Sequence, residues 1–127
     1  MDSLFAKQFA AQWEESWNSH DINEIMNHYA NNVIIISPIA GKLLGNPEVK
    51  GFEAVKSYFM KGLQAYPDLK FEVMDVLLGE ESIVLYYINQ NGIKAGEFMQ
   101  IDGEGKVSRM YAHYSEYKPE RKESLGK

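Results

Sequence analysis

Cysteine is absent from the 127-residue chain, which excludes disulfides, thiolate metal sites and cysteine nucleophiles. Long hydrophobic runs are absent as well. A membrane-spanning helix needs about 20 consecutive apolar residues, whereas the run at residues 33–36 has only the length of a strand. The first residues lack the basic-then-apolar order of a secretion signal, so we expect a cytoplasmic protein.

Basic charge is scarce and scattered along the chain. Thirteen Lys and Arg residues stand against eighteen Asp and Glu residues, which gives a formal net charge of -5. The one local basic cluster, at residues 118–122, is interrupted by Glu120. Proteins that bind anionic polymers usually carry a continuous basic stripe. We therefore expect neither a nucleic acid nor a membrane surface as a partner.

Sequence motifs for metals and cofactors are also missing. The three histidines fall in three different predicted elements and lack the spacing of metal ligands: His20, His28 and His113. The glycines at positions 41, 45 and 51 lack the spacing of a phosphate-binding loop. No serine lies in a G-x-S-x-G turn, so triad hydrolysis has no support. We therefore predict a protein without a metal ion or a cofactor.

Aromatic residues are abundant instead. Eight Tyr, six Phe and two Trp make up 13% of the chain. They indicate either a well-filled core or an aromatic-lined pocket for a small molecule. Composition alone leaves both alternatives open.

Apolar periodicity predicts three helices and one strand in the first half of the chain. A helix covers residues 3–18 with Ser3 as its N-cap, and a short second helix follows the N-cap Asp21 and ends at Asn31 and Asn32. Residues 33–37 form a strand. The segment 39–50, rich in glycine and proline, is predicted as a loop with or without a short strand at 42–44. A third helix covers residues 51–66.

From residue 69 the apolar period changes to two. Four antiparallel strands are predicted at residues 69–79, 82–90, 93–102 and 106–117, joined by short turns. Residues 1–117 therefore form a single domain, and residues 118–127 form a charged tail. The element order predicts an α+β fold in which three helices cover the concave face of a curved, mainly antiparallel sheet. Such a sheet encloses a cone that is either filled by side chains or partly open as a pocket.

The order and spacing of three stretches resemble the nuclear transport factor 2-like superfamily, and within it the SnoaL-like and ketosteroid isomerase-like branch. The stretches contain Trp17-Asn18-Ser19-His20-Asp21, Lys50-Gly51-Phe52-Glu53-Ala54-Val55 and Gly96-Glu97-Phe98-Met99-Gln100. The resemblance implies a cystatin-like α+β barrel with an internal pocket. It also implies a homodimer formed through the outer face of the sheet. It does not identify a reaction, because this fold supports several chemistries and noncatalytic domains.

The resemblance allows a test of ketosteroid isomerase chemistry, which needs a carboxylate base, a tyrosine and a protonated acid. The family pattern puts the tyrosine at Trp13, the base at Ser37 and the acid at Glu97. An indole N–H is a weaker acid than a phenol, and an unassisted serine cannot replace a carboxylate base. We therefore do not expect steroid isomerisation by that mechanism. The Asp-Arg-Asp set of the epoxide hydrolase-like branch is not expected either, because the only arginines are Arg109, predicted to point outward, and Arg121 in the tail.

Glu97 is the main candidate for chemistry. It alternates with Ile93, Met99 and Ile101, so it shares a strand face with apolar side chains. Burial there would raise the pKa of its carboxyl and poise it as an acid or base. The alternatives are a structural glutamate bonded to a Tyr or Trp across the cone, or a glutamate on the exposed face of the sheet.

The neighbours of Glu97 follow from the predicted hairpin at residues 103–105. Pairing across this hairpin places Tyr114 close to Glu97, and we predict the two as the catalytic residues. Alternation points His113 away from the cone unless a bulge reverses it. Tyr87 and Tyr111 are predicted on the outer, dimer-forming face with His113, and Asp75 is a further candidate for the inside.

The remaining candidates are inward-facing side chains that would contact a ligand: Trp13, Trp17, Tyr29, Ser37, Phe59, Met99 and Met110. Together with Glu97 and Tyr114 they predict cofactor-free proton transfer, such as isomerisation or aldol-type cyclisation, on a small apolar molecule. The alternative is a noncatalytic ligand-binding or dimerisation domain with a filled cone.

Overall fold

The computed structural model describes residues 1–116, which form four helices and six strands. The helices are α1 (Ser3–Ser19), α2 (Ile22–Met26), α3 (Pro38–Leu44) and α4 (Phe52–Ala65). The strands are β1 (Tyr29–Ile36), β2 (Glu48–Lys50), β3 (Glu72–Gly79), β4 (Ser82–Ile88), β5 (Lys94–Ile101) and β6 (Val107–Tyr114). The predicted tail at residues 118–127 lies outside the described residues.

The six strands form one curved mixed sheet in the order β2-β1-β6-β5-β4-β3. Strands β3 to β6 pair antiparallel with their chain neighbours, whereas β1 pairs parallel with β6. α1 packs on β3 and on α2, and α4 packs on β1 and β2. The predicted cystatin-like α+β fold is confirmed. We call the space between the sheet and the helices the cone.

The N-cap of the first helix lies one residue earlier than predicted. Asp2, not Ser3, is the N-cap, and its side chain accepts a hydrogen bond from the backbone N–H of Leu4. Asp21 caps α2 as predicted by accepting from Asn23 and Glu24. Carboxylates at these positions pair with the free N–H groups that open every helix.

The prediction of three helices is wrong, because the segment predicted as a loop contains α3 and β2. Ser37 caps α3 with its side chain, Pro38 occupies the first turn, and Gly45 ends the helix with a φ of 79°. Proline at the start and glycine after the end are helix boundary signals as well as loop signals. Residues 42–44, which were a candidate strand, are the last turn of this helix.

The second helix is shorter than predicted. It ends at Met26, and Tyr29 already belongs to β1, where it pairs with Val107 of β6. Asn31 and Asn32 are exposed strand residues rather than helix caps. Strand formation on both sides of them overrides the local preference of asparagine for helix ends.

A register shift in β3 changes which of its side chains face the cone. The shift lies between Val73 and Asp75. Val76 consequently packs against the core, while Asp75 is exposed and Leu77 is 54% exposed. Asp75, which was a further candidate for the inside, therefore does not face the cone. A bulge inserts one residue and reverses the faces beyond it.

The interior is closely packed with aromatic and aliphatic side chains. Trp17 contacts Phe59 edge-on at 4.8 Å between ring centroids, and Phe59 contacts Tyr29 at 5.1 Å. Trp13 is 1% exposed. No helix in the described part of the chain combines the length and the apolar character needed to cross a membrane.

Candidate active site

Glu97 lies in the middle of β5 with its side chain inside the cone. It pairs with Leu85 of β4 on one side and with Ala112 of β6 on the other. The residue is 4% exposed, and Met99 on the same face is fully buried. The predicted inward orientation of Glu97 is confirmed, because the strand alternates as its sequence indicates.

The carboxyl of Glu97 is only half satisfied by hydrogen bonds. The Tyr87 hydroxyl donates to its Oε2 atom at 2.5 Å. The Oε1 atom is buried and has no hydrogen-bond partner among the described residues. Burial raises the pKa of Glu97 to about 7, although the Tyr87 hydrogen bond opposes the increase. At neutral pH the carboxyl is therefore close to its midpoint.

Four tyrosines from four elements face Glu97: Tyr29 of β1, Tyr58 of α4, Tyr87 of β4 and Tyr114 of β6. Burial, with a smaller effect of the Glu97 charge, raises the pKa of Tyr58 to about 12 and keeps the pKa values of the other three above the usual range. These phenols keep their protons at neutral pH. Glu97 is thus the group in this cluster that changes charge near pH 7.

Ser37 and Trp13, the residues at the other two ketosteroid isomerase positions, make hydrogen bonds to other residues of the protein. Ser37 Oγ caps α3 by accepting from Ile39 N–H at 3.1 Å, and it lies 3.2 Å from the Tyr58 hydroxyl. Trp13 Nε1 donates to the Tyr29 hydroxyl at 3.1 Å. Neither side chain is positioned as a base or as a donor to a steroid oxygen.

A cleft of about 880 Å³ opens where α3, the chain after α4 and the β4–β5 turn meet. Its wall is largely apolar and includes Ile39, Phe71 and Ile93. Asparagine and glutamine side chains at positions 89–91 lie at its rim. Tyr87 and Tyr114 belong to the wall, whereas Glu97 does not.

The structure separates the predicted site residues into two groups. Glu97 and Tyr114 lie close together, on adjacent strands two pairing positions apart. The predicted ligand contacts Trp13, Trp17, Tyr29, Ser37, Phe59, Met99 and Met110 are all buried in the packed interior, and none of them lines the cleft. Their roles in binding a ligand stay predictions.

Tyr87 is the residue that the sequence interpretation placed wrongly. It is 1% exposed and points into the cone, not to the outer face. Strand β4 is apolar on both faces, so alternation did not show which face is inside. The signal that could have found it is the pairing with β5, which sets Tyr87 opposite Ala95 and Leu85 opposite Glu97.

His113 and Arg109, which the sequence also raised as possible site residues, lie on the outer face of the sheet. His113 is exposed, and its Nδ1 atom lies 3.1 Å from the carbonyl oxygen of Tyr111. Arg109 also lies on this side and donates to the Tyr111 hydroxyl. The predicted outward orientation of both is confirmed, and neither takes part in the site. Within residues 1–116, no three His, Asp or Glu side chains come close enough together to hold a metal ion.

Comparison with known proteins assigns the family. A sequence model described as SnoaL-like polyketide cyclase matches residues 7–114. A crystal structure of a SnoaL-like protein of unknown function from Burkholderia thailandensis E264 is 32% identical, with a TM-score of 0.86, and the match covers 91% of this chain and 98% of that one. The chain therefore belongs to the SnoaL-like family. No curated protein matches it.

Two more distant structures show the same fold. SalBIII, an epoxide hydrolase/cyclase-like enzyme with a role in pyran ring formation in the polyether salinomycin, is 19% identical with a TM-score of 0.71, and the match covers 90% of this chain and 93% of that one. A candidate ketosteroid isomerase from Kribbella flavida DSM 17836 is 19% identical with a TM-score of 0.69, covering 94% and 85%. At this identity the likeness concerns the fold alone.

Proposed function

We propose that the protein catalyses cofactor-free proton transfer on a small, largely apolar ligand, with Glu97 as the titrating group. The observation that carries this proposal is the carboxyl itself. It is 4% exposed, has one unpaired oxygen among the described residues, and has a pKa raised to about 7. A group poised near the working pH is the most effective acid–base catalyst.

The side chains in the wall of the cleft favour an uncharged ligand. Its wall carries one cationic and one anionic side chain, Lys42 and Glu116, and is otherwise apolar or neutral. A ring system packs well against Phe71 and Ile93, while the amides at positions 89–91 suit a carbonyl or hydroxyl group. Isomerisation or aldol-type cyclisation fits such a ligand. The family model is described as a polyketide cyclase and one structural neighbour is cyclase-like, which supports this class of reaction. Both descriptions concern those proteins.

A noncatalytic ligand-binding or dimerisation domain is the second candidate. It is favoured by the packed interior and by the position of Glu97 behind the wall of the cleft rather than in it. In that case the carboxyl is a structural partner of Tyr87.

A proton-abstraction probe distinguishes the two candidates. The ring of 5-nitrobenzisoxazole opens when a base removes its C–H proton, and the coloured cyanophenolate that forms is followed by absorbance. We expect wild-type turnover to rise with pH around a midpoint near the pKa of about 7 and to be lost in Glu97→Gln. Glu104→Gln, at an exposed turn position, is the matched control.

Carbon-detected NMR titration of the Glu97 carboxyl accompanies the assay, because it needs no ligand. A pKa at or below the ordinary value of 4.5, or equal turnover by Glu97→Gln and the wild type, would reject proton transfer by Glu97 in favour of the noncatalytic candidate.

We also propose that the protein is a homodimer formed through the outer face of the sheet. Val84, Phe98 and Tyr111 place apolar surface there, on the side opposite the helices, and Tyr111 is 37% exposed. Large apolar patches on proteins in water are usually covered. Sedimentation at micromolar concentration tests this, and a monomer would contradict it.

A further inference from the structure

We propose that Tyr87 passes protons between Glu97 and a ligand in the cleft. This inference rests on the proposed function and adds a residue to it. Tyr87 combines two properties that no other described residue combines. It belongs to the wall of the cleft, and its hydroxyl is hydrogen-bonded to the Glu97 carboxyl. Among the described residues, Tyr87 therefore provides the direct link between the cleft and the carboxyl.

Aromatic contacts hold the Tyr87 ring in place. Its centroid lies 4.5 Å from that of Phe71 and 5.2 Å from that of Trp13. The residue is 1% exposed, so its side chain separates the cleft from the carboxyl behind it. A fixed hydroxyl beside a desolvated carboxyl gives the short, preorganised path that proton transfer needs.

The second hydroxyl in the wall extends this path. Tyr114 lies on the strand next to Glu97, and it also belongs to the wall of the cleft. The described hydrogen bonds join Glu97 to Tyr87 and do not join it to Tyr114. Tyr114 is thus placed to orient the ligand, while Tyr87 provides the direct connection to the carboxyl.

The step balances without a further reactant. A C–H or O–H bond of the ligand breaks, and its proton moves to Tyr87 Oη while the Tyr87 hydroxyl proton moves to Glu97 Oε2. The electron pair of the broken bond stays on the ligand, Tyr87 is neutral before and after, and Glu97 becomes neutral. The reverse transfer protonates the ligand. Because both shifts are concerted, no free phenolate forms in the buried site.

The titratable groups that face Glu97 are the four tyrosines of β1, α4, β4 and β6, and α1 contributes Trp13, which does not titrate. Only the Tyr87 hydrogen bond acts with burial on the carboxyl. Removing that hydroxyl should therefore raise the pKa of Glu97 further. A tyrosine that does not contact the carboxyl would not couple its own signal to this titration.

The test compares Tyr87→Phe with Tyr86→Phe, which makes the same change on the opposite face of β4. With 5-nitrobenzisoxazole, we expect Tyr87→Phe to lose at least tenfold in kcat, to keep KM within twofold, and to shift the pH midpoint upward. Tyr86→Phe should match the wild type. Tryptophan fluorescence and urea unfolding show whether each variant is folded.

A second measurement uses the wild-type protein with carbon-13 at the tyrosine Cζ positions. The Tyr87 signal should move with the same midpoint as the Glu97 carboxyl, and the Tyr86 signal should not. If the Tyr87 signal is independent of Glu97, the relay is overturned. An uncoupled Tyr87 signal overturns the relay even where Tyr87→Phe does not fold, and a folded wild type that does not turn over the probe also counts against it.

The outcomes separate the two proposals. Loss of turnover in Glu97→Gln with full turnover in Tyr87→Phe overturns the relay and leaves proton transfer by Glu97 standing. Full turnover in Glu97→Gln overturns both. Loss in both variants, with a Tyr87 signal that follows Glu97, supports both.

Discussion

The Glu97 carboxyl should make the stability of the protein depend on pH in a defined direction. Its pKa is 4.5 as an ordinary glutamate and about 7 in the folded protein. Between these values the folded protein holds a proton that the unfolded chain has released. The contribution of Glu97 to the free energy of unfolding therefore falls as pH rises from about 4.5 and flattens above about 7.

The size of the effect follows from the two pKa values. At about 1.4 kcal/mol per pKa unit, the ionised carboxyl costs the folded protein about 3 kcal/mol once both states are charged. Glu97→Gln keeps the shape of the side chain and removes the charge. Between pH 5 and pH 8, the stability of the variant relative to the wild type should therefore increase by about 2 to 3 kcal/mol.

Urea unfolding at pH 5, 6, 7 and 8 measures this difference, and the fluorescence of Trp13 and Trp17 reports the transition because both are buried. The protein concentration is kept constant, because dimerisation would change the apparent stability. In Glu97→Gln the amide N–H group takes the place of the unpaired Oε1 atom and finds no acceptor there. The energetic cost of this unpaired donor does not depend on pH. The pH-dependent part is therefore diagnostic.

Glu104→Gln makes the same charge change at an exposed turn residue and should give a difference that is flat with pH. A flat difference for Glu97→Gln as well would refute the reasoning. It would show that the carboxyl is solvated or ion-paired in solution and that its pKa is not raised by burial.

Three further predictions follow from the same contacts. Ser37→Ala removes the cap of α3 and the partner of the Tyr58 hydroxyl, so urea unfolding should show a loss of about 1 to 2 kcal/mol; an unchanged midpoint would contradict the capping role. Burial and the nearby charge of Lys106 lower the pKa of His28 below 6.5, so its contribution to stability should decline as pH falls through 6.5. Proton NMR of the imidazole checks this, and a midpoint at or above 6.5 would disprove it. A 3-oxo-Δ5-steroid should not be isomerised above background, because Ser37 and Trp13 are bonded within the fold; spectrophotometric turnover near about one per second would show that another base acts.

The fold could be predicted from sequence where a local signal and the tertiary structure agree. Asp21 caps the second helix as its spacing indicates, and the meander from β3 to β6 follows the period-two pattern. The strand predicted at residues 33–37 is present as the second half of β1, but the prediction failed at residues 29–32 and at residues 38–50. Tyr29 belongs to β1 because it pairs with Val107 of β6. Val107 is far away in the chain, so a local sequence pattern does not show this pairing.

The candidate site shows a different limit of sequence reasoning. Alternation gave the correct face for Glu97 because its neighbours on one face of β5, Met99 and Ile101, are apolar, whereas Lys94 and Gln100 on the other face are polar. It could not do so for Tyr87, since the neighbouring Tyr86 is equally apolar and only the register with β5 distinguishes the two. A period of two gives the spacing of inward residues, whereas the register determines which set is inside.

The energy of the buried carboxyl bears on the choice between catalysis and a filled cone. A cost of about 3 kcal/mol at neutral pH is a large share of the 5–15 kcal/mol that stabilises a typical domain. Glutamine could accept the same hydrogen bond from Tyr87 without that cost. A fold that only had to fill its interior has no need of an ionisable group at this position, whereas a site that exchanges protons needs the carboxyl and a pKa near the working pH. Tyr87, which separates Glu97 from the cleft, then has two roles in the proposed mechanism. Its hydrogen bond stabilises the charged carboxyl, and the same bond links the carboxyl to a ligand in the cleft.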